Sequence, residues 1–107
     1  GGNRDQYKRS QMGESASKLA DQIIITSDNP RSEDPMEISN QIIKGCSSFK
    51  KVEIIIDRRK AIETAMSKML PNDTLLIAGK GHETYQEIKG VKFPFNDRTV
   101  VMKYLKE

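Results

Sequence analysis

Three short apolar runs, rich in β-branched residues, constrain the fold of this chain most strongly. They span residues 23–25, 52–56 and 74–78, and stretches of helical character lie between them. Continuous apolar runs are typical of strands covered on both faces, and strands that alternate with helices are typical of parallel sheets. Right-handed crossovers then bring the carboxyl ends of the strands to one edge. The pattern predicts an α/β fold whose mostly parallel sheet carries helices on both faces.

The intervals around these runs predict four helices and a hairpin. A first helix is predicted over residues 10–20, with Met12, Ala16, Leu19 and Ala20 at near-helical spacing. Asp34, Asp57 and Asp97 are each predicted to cap a further helix, because a short polar side chain can accept a hydrogen bond from the free amides of the first turn. The first strand should cover residues 22–27, and a hairpin should turn at Gly90.

Length, charge and cysteine usage exclude several classes of protein. The 107 residues suffice for one domain. The net charge is +3, but basic and acidic residues are interleaved, so nucleic-acid binding is not expected. A single cysteine allows no internal disulfide, and no apolar run approaches the roughly 20 residues of a membrane span. No signal peptide is visible, and we expect a cytoplasmic location without membrane partners.

The most polar predicted loop, residues 26–31, directly follows the first strand. It will be called the Asp28 loop. It holds Asp28, Asn29 and Arg31 within four residues, and ligands of open α/β sheets bind where strands end. The alternative is a simple βα turn, because Asp and Asn followed by Pro favour turns without any function.

A second candidate loop follows the third apolar run and spans residues 79–83. It will be called the Gly79 loop. Its glycines let a backbone approach a ligand closely, but it matches neither the phosphate-binding P-loop nor the dinucleotide fingerprint. Glu83 could bind an ammonium group or could be merely solvated. The only histidine, His82, could be a base, but a lone histidine near a strand end is more often a hydrogen-bonded structural residue.

Arg4 and Arg31 are the best candidates for binding an anion. A guanidinium presents a planar fork that matches a carboxylate. Together with Asp28 and Glu83, such an arginine would form a site with both signs of charge, which suits a zwitterionic amino acid. The same residues could instead pair with one another as surface salt bridges, and the sequence leaves that alternative open.

Four ordered motifs resemble the C-terminal domain of the Mur ligases, in the branch that adds diaminopimelate. The motifs are Gly1-Gly2-Asn3-Arg4-Asp5 with Lys8-Arg9, Thr26-Ser27-Asp28-Asn29-Pro30-Arg31, Asp57-Arg58, and Gly79-Lys80-Gly81-His82-Glu83 with Tyr85-Gln86. The resemblance covers nearly the whole chain. It implies that residues 1–107 form one Rossmann-like, amino-acid-binding domain. The first family strand is missing before Gly1, so we expect the chain to be cut from a longer protein.

The resemblance also implies an activity for the full-length enzyme. Mur ligases of this branch use ATP and Mg²⁺ to join meso-2,6-diaminopimelate to UDP-N-acetylmuramoyl-L-alanyl-D-glutamate, through an acyl phosphate, in peptidoglycan synthesis. The UDP-sugar is bound by an N-terminal domain, and ATP mainly by a central domain. Neither is present in these residues, so the chain alone is predicted to be inactive.

Carried over by position, the resemblance assigns diaminopimelate binding to Arg4, Asp28, Asn29, Arg31, Gly79 and Glu83. It places Asn3, Asp5 and Lys8 on the ATP side, and it assigns no catalytic residue and no metal ligand. Arg31 would bind the distal carboxylate of diaminopimelate. L-lysine lacks that group, and a site built for a polar group rejects the analogue without it. His82 would orient its loop.

Other hypotheses remain open at this stage. The chain could be a free-standing nucleotide- or amino-acid-binding α/β module. It could also belong to a ligase that adds L-lysine instead of diaminopimelate. A plain interaction domain would leave the coincidence of the two polar loops unexplained.

Overall fold

A computed structural model describes residues 2, 6–47, 51–79 and 83–106. In chain order its elements are α1 (Tyr7–Leu19), β1 (Gln22–Ile25), α2 (Pro35–Ile43), β2 (Lys51–Ile54), α3 (Arg58–Ser67), β3 (Tyr85–Ile88), β4 (Val91–Pro94) and α4 (Asp97–Lys106). The predicted α/β class is confirmed.

β1 and β2 form a parallel pair, in which Ile23 lies beside Val52 and Ile25 beside Ile54. The pairing continues beyond the regular strands. The amide of Ile55 donates to the carbonyl oxygen of Ile25 at 2.9 Å, and that of Ser27 donates to Ile56 at 3.3 Å. The start of the Asp28 loop is thereby fixed against the neighbouring segment before it reaches its polar residues.

The helices pack as two pairs, α1 with α2 and α3 with α4, and one helix of each pair contacts β1. The buried apolar side chains come from β1 and from three helices: Ile25, Ile38, Ala61, Ile62 and Val100. Two helix starts are as predicted. The Asp34 carboxylate accepts from the amide of Met36, and that of Asp57 accepts from the amide of Lys60.

The first helix differs from its prediction in both its start and its buried face. It begins at Tyr7, one turn early, and its buried residues are Arg9, Gly13 and Ser17. Leu19, placed on the apolar face by spacing, is 89% exposed. The helix instead approaches α2 through a residue without a side chain, since a Cβ on Gly13 would lie 2.0 Å from the carbonyl oxygen of Ile42. The α1 helix therefore packs on α2 by close approach of the two backbones and not through a stripe of apolar side chains.

The predicted third buried strand over residues 74–78 is wrong. These residues form no strand in the described part of the chain, and Leu76 is 84% exposed. The composition favours a strand, but a strand also needs a neighbouring backbone with which to exchange hydrogen bonds. Within the described residues, no strand pairs with this segment.

The hairpin is confirmed, with β3 antiparallel to β4. Lys89 and Gly90 both have positive φ, at 50° and 79°, as expected for the two-residue turn that matches the strand twist. The predicted Asp97 cap is wrong. Asn96 accepts the amides of Arg98 and Thr99 at 2.9 and 3.3 Å, and Asp97 lies inside the helix.

Candidate functional site

The Asp28 loop lies against strand β3 of the hairpin. The amide of Arg31 donates to the Glu87 carbonyl oxygen at 2.9 Å, and the amide of Lys89 donates to the Arg31 carbonyl oxygen at 2.6 Å. Arg31 has a φ of 55°, in the left-handed region that costs a bulky residue about 1–2 kcal/mol. Backbone bonds on both sides hold it there, so the loop has one defined shape.

Asn29 connects this loop to the Gly79 loop. Its side-chain oxygen accepts the amide of Glu87 at 2.8 Å, and its Nδ2 donates to Oε2 of Glu83 at 3.1 Å. Asn29 is only 1% exposed. Its side chain therefore brings together residues 54 positions apart in sequence and fixes the Glu83 carboxylate.

The guanidinium of Arg31 contacts the backbone beside Asn29. Its Nη1 donates to the carbonyl oxygen of Gly2 at 2.8 Å and to that of Asn29 at 3.3 Å. The side chain is 17% exposed. Gly2 is buried here, and a Cβ on it would lie 1.7 Å from the Pro30 carbonyl oxygen. Only glycine permits this approach of the chain start to the Asp28 loop.

Glu83 is half-buried and has a second polar neighbour. A hydrogen bond to Glu83, and then its negative charge, raises the pKa of the Tyr85 hydroxyl. The phenol thus stays protonated beside a carboxylate. Asn29 and Tyr85 together set the position of the Glu83 carboxylate.

Asp28 and Gly79 face each other across the two loops. Oδ2 of Asp28 lies 3.7 Å from the position that a Cβ on Gly79 would occupy. Gly79 has a φ of 102°, which side chains rarely adopt. A side chain at position 79 would therefore strain the backbone as well as contact Asp28.

The site combines one guanidinium with carboxylates from two loops. Within the described residues, the only ion pair of Arg31 is with Glu87, whose Oε1 lies 4.0 Å from Nε. An amino acid carrying both charges is the kind of ligand that this arrangement can bind.

Of the remaining predicted site residues, the structure describes only Lys8. Lys8 is exposed on α1, and its described surroundings show no bond to either loop. Asn3, Arg4, Asp5 and His82 lie outside the described residues. Across residues 2, 6–47, 51–79 and 83–106, no three His, Cys, Asp or Glu side chains form a group that could hold a metal ion. No described helix is long and apolar enough to cross a membrane.

Comparison with known proteins decides the family. Residues 1–81 match the family model described as "Mur ligase, glutamate ligase domain". The chain belongs to the Mur ligase family. Amino-acid binding by its Asp28 and Gly79 loops stays a prediction.

Several similar proteins share the name UDP-N-acetylmuramoyl-L-alanyl-D-glutamate–2,6-diaminopimelate ligase. That of Aquifex aeolicus is 54% identical over 98% of this chain, and that of Rickettsia prowazekii is 52% identical over all of it; each match covers 22% of the relative. A solved structure of a ligase with this name superposes with a TM-score of 0.93, at 42% identity, over 99% of this chain and 22% of that one. The chain therefore spans about a fifth of the length of these Mur ligases.

Sequence reasoning missed one residue of the site. It interpreted Asp57-Arg58 as a helix cap, which holds for Asp57 alone. The Arg58 side chain donates hydrogen bonds to backbone carbonyl oxygens at the base of both loops. The only sequence signal was an arginine directly after a strand and a capping residue, which is too common to be diagnostic.

Proposed function

We propose that this chain is the C-terminal, amino-acid-binding domain of an ATP-dependent Mur ligase. The full-length enzyme would join meso-2,6-diaminopimelate to UDP-N-acetylmuramoyl-L-alanyl-D-glutamate in peptidoglycan synthesis. An amine of diaminopimelate would displace phosphate from an acyl phosphate, forming an amide and releasing a proton. This domain would supply the acceptor amino acid in a fixed orientation.

The observation that carries this proposal is that Asn29, two residues before Arg31, joins the Asp28 loop to the Glu83 carboxylate. Asn29 holds Glu83 3.1 Å from its own Nδ2, and Asp28 lies next to Gly79 on the opposite loop. A distal carboxylate of the acceptor would accept hydrogen bonds from Arg31, and the adjacent ammonium group would donate to Glu83 or Asp28. The names of relatives about 50% identical to the chain support diaminopimelate as the acceptor.

The same geometry explains why L-lysine would be a poor acceptor. Lysine offers the far ammonium group but no carboxylate beside it. Arg31 would then gain no carboxylate partner beyond Glu87, whose Oε1 lies 4.0 Å from Nε, and the contact that diaminopimelate makes would be lost. Asn29, whose amide is occupied on both sides, would act by holding Glu83 in place.

ATP and Mg²⁺ would be bound mainly by other domains of the full-length enzyme. The described residues contain no cluster of metal ligands, and Lys8, the one described residue expected on the ATP side, is exposed on α1. The described residues do not form a magnesium site by themselves. We assign this chain to acceptor binding and predict that it is inactive alone.

The decisive experiment compares diaminopimelate with L-lysine as acceptor, in the full-length protein that contains this chain, with ATP and the UDP-dipeptide. We expect diaminopimelate to be strongly preferred. Arg31→Ala should lower kcat/KM for diaminopimelate by about 10- to 150-fold, as expected for losing a charge-assisted contact of about 1.5–3 kcal/mol.

Lys89→Asn is the matched control. It removes an exposed cation at the neighbouring hairpin turn, and asparagine tolerates the positive φ of 50° at that position. Its kcat/KM should stay within about twofold. Preference of the wild-type protein for L-lysine would establish the lysine-adding alternative. Binding of an amino acid without any ligation would favour a free-standing binding module.

A further inference from the structure

The Arg58 side chain connects the start of α3 to α4 and to the backbone that precedes both loops. It is 3% exposed, and it begins α3 directly after the Asp57 cap. Nε and Nη2 each donate to one oxygen of the Asp97 carboxylate, both at 2.7 Å. This two-point contact fixes the plane of the guanidinium relative to the first turn of α4.

The remaining donors of Arg58 contact backbone carbonyl groups of both loops. Nη1 donates to the carbonyl oxygen of Ser27, and Nη2 to that of Ala78, each at 3.3 Å. Ser27 immediately precedes Asp28, and Ala78 immediately precedes Gly79. One rigid, planar group therefore spans the base of the Asp28 loop and the base of the Gly79 loop.

We infer that Arg58 is a positioning residue, which sets the distance between the two ligand-binding loops and thereby the selectivity for the acceptor. The inference rests on the proposed function, because it concerns how that same site discriminates between amino acids. Arg58 does not touch the acceptor. It acts through the two carbonyl groups, and Asp97 acts through Arg58.

The link to selectivity follows from where the charges lie. Arg31 belongs to the Asp28 loop, and Glu83 ends the Gly79 loop. With its carboxylate on Arg31 and its ammonium on Glu83, a ligand group that carries both charges on one carbon contacts both loops at once, so its binding depends on their separation. L-lysine presents only an ammonium group and needs only one loop. Loosening the connection should therefore weaken diaminopimelate binding more than lysine binding.

Arg58→Lys and Asp97→Asn test this in the full-length protein. Lysine keeps the charge but cannot make four directed bonds, and asparagine keeps the size of Asp97 with a single acceptor oxygen. For both variants we expect the KM for diaminopimelate to rise about tenfold or more, with the KM values for ATP and UDP-dipeptide within twofold. The ratio of kcat/KM for diaminopimelate to that for L-lysine should fall by a similar factor.

Val100→Ala is the control for stability alone. Val100 is buried on the same helix as Asp97 and contacts neither loop among the described bonds. It should reduce the fraction of folded enzyme, and hence the apparent kcat, without changing any KM or the selectivity ratio. Asp97→Asn decides the matter if Arg58→Lys does not fold, because it preserves the shape of the buried pair.

The outcomes separate this inference from the proposed function. If the wild-type enzyme prefers diaminopimelate but the selectivity ratio is unchanged in Asp97→Asn, Arg58 is only structural and the inference is overturned. If the wild-type enzyme uses L-lysine or neither amino acid, the proposed function itself fails, whatever the variants do.

Discussion

The exchange of Asn29 for aspartate gives the sharpest test of the junction between the two loops. The two side chains have the same shape, so the bond from the Glu87 amide is kept. The Nδ2 donor, 3.1 Å from Oε2 of Glu83, becomes a carboxylate oxygen. A hydrogen bond is thereby replaced by a contact between two negative charges.

The size of the effect follows from the distance and from proton binding. Two unit charges 3.1 Å apart repel by about 5 kcal/mol at an effective dielectric constant near 20. The folded Asn29→Asp variant avoids most of this repulsion by binding one proton between the two carboxyl groups. At pH 7 that costs at most about 4 kcal/mol, since the ordinary carboxyl pKa lies about three pH units lower and each unit is about 1.4 kcal/mol.

Urea unfolding of wild type and Asn29→Asp, measured from pH 4.5 to 8, reports this cost directly. Because the folded variant binds a proton that the unfolded chain releases above its ordinary pKa, the loss of stability should be greatest at high pH and should shrink as the pH falls towards 4.5. Asn29→Ala removes both bonds without adding charge, so its loss should be about 2–4 kcal/mol and nearly independent of pH. A loss in Asn29→Asp that stays constant over this range would refute the contact between Asn29 and Glu83.

Two further predictions concern packing and titration. Gly13→Ala should destabilise the fold because its Cβ would meet the Ile42 carbonyl oxygen, although alanine is the better helix former by about 1 kcal/mol. Thermal unfolding should show a lower Tm for Gly13→Ala and an unchanged Tm for the control Ser15→Ala, at an exposed position of the same helix. An unchanged Tm for Gly13→Ala would contradict the close approach of the two helices. Glu83→Gln should lower the pKa of Tyr85 towards its ordinary value, which NMR of ¹³Cζ-labelled tyrosine would measure. Because the pKa of Tyr85 is raised in the folded protein, its contribution to stability is present below the ordinary pKa and is lost as the pH rises through the folded pKa. An unchanged Tyr85 pKa in Glu83→Gln would exclude the hydrogen bond to Glu83.

Features encoded within a few residues were predictable. Asp34 and Asp57 cap their helices because the bonds they make span two or three positions. The hairpin turns at Gly90 because a two-residue turn needs positive φ. β1 and β2 follow from continuous runs of β-branched residues, which suit a covered strand.

Features that depend on distant partners were predicted wrongly or missed. The buried face of α1 is formed by Arg9, Gly13 and Ser17, because Arg9 pairs with Glu33 at 2.9 Å and α2 approaches closely. No periodicity in hydrophobicity marks such a face. Residues 74–78 have the composition of a strand, yet form none in the described chain, because composition does not supply a neighbouring backbone.

The candidate site divides in the same way. Its chemical components could be named from the sequence, because guanidinium, carboxylate and glycine at the ends of strands suggest a ligand on chemical grounds alone. Their mutual arrangement could not, since the contact between Asn29 and Glu83 and the bonds of Arg58 to Ser27 and Ala78 join residues 20 to 54 positions apart.

The sequence by itself determined the α/β class, the two polar loops and, through its motifs, the Mur ligase family. These depend on local propensity and on which functional groups are present. The tertiary structure decided which groups meet. Asn29 donates to Glu83, Arg31 donates to the Gly2 carbonyl oxygen, and Arg58 donates to the backbone at the base of the loops. Those roles arise from distances across the fold, and only the packed chain sets those distances.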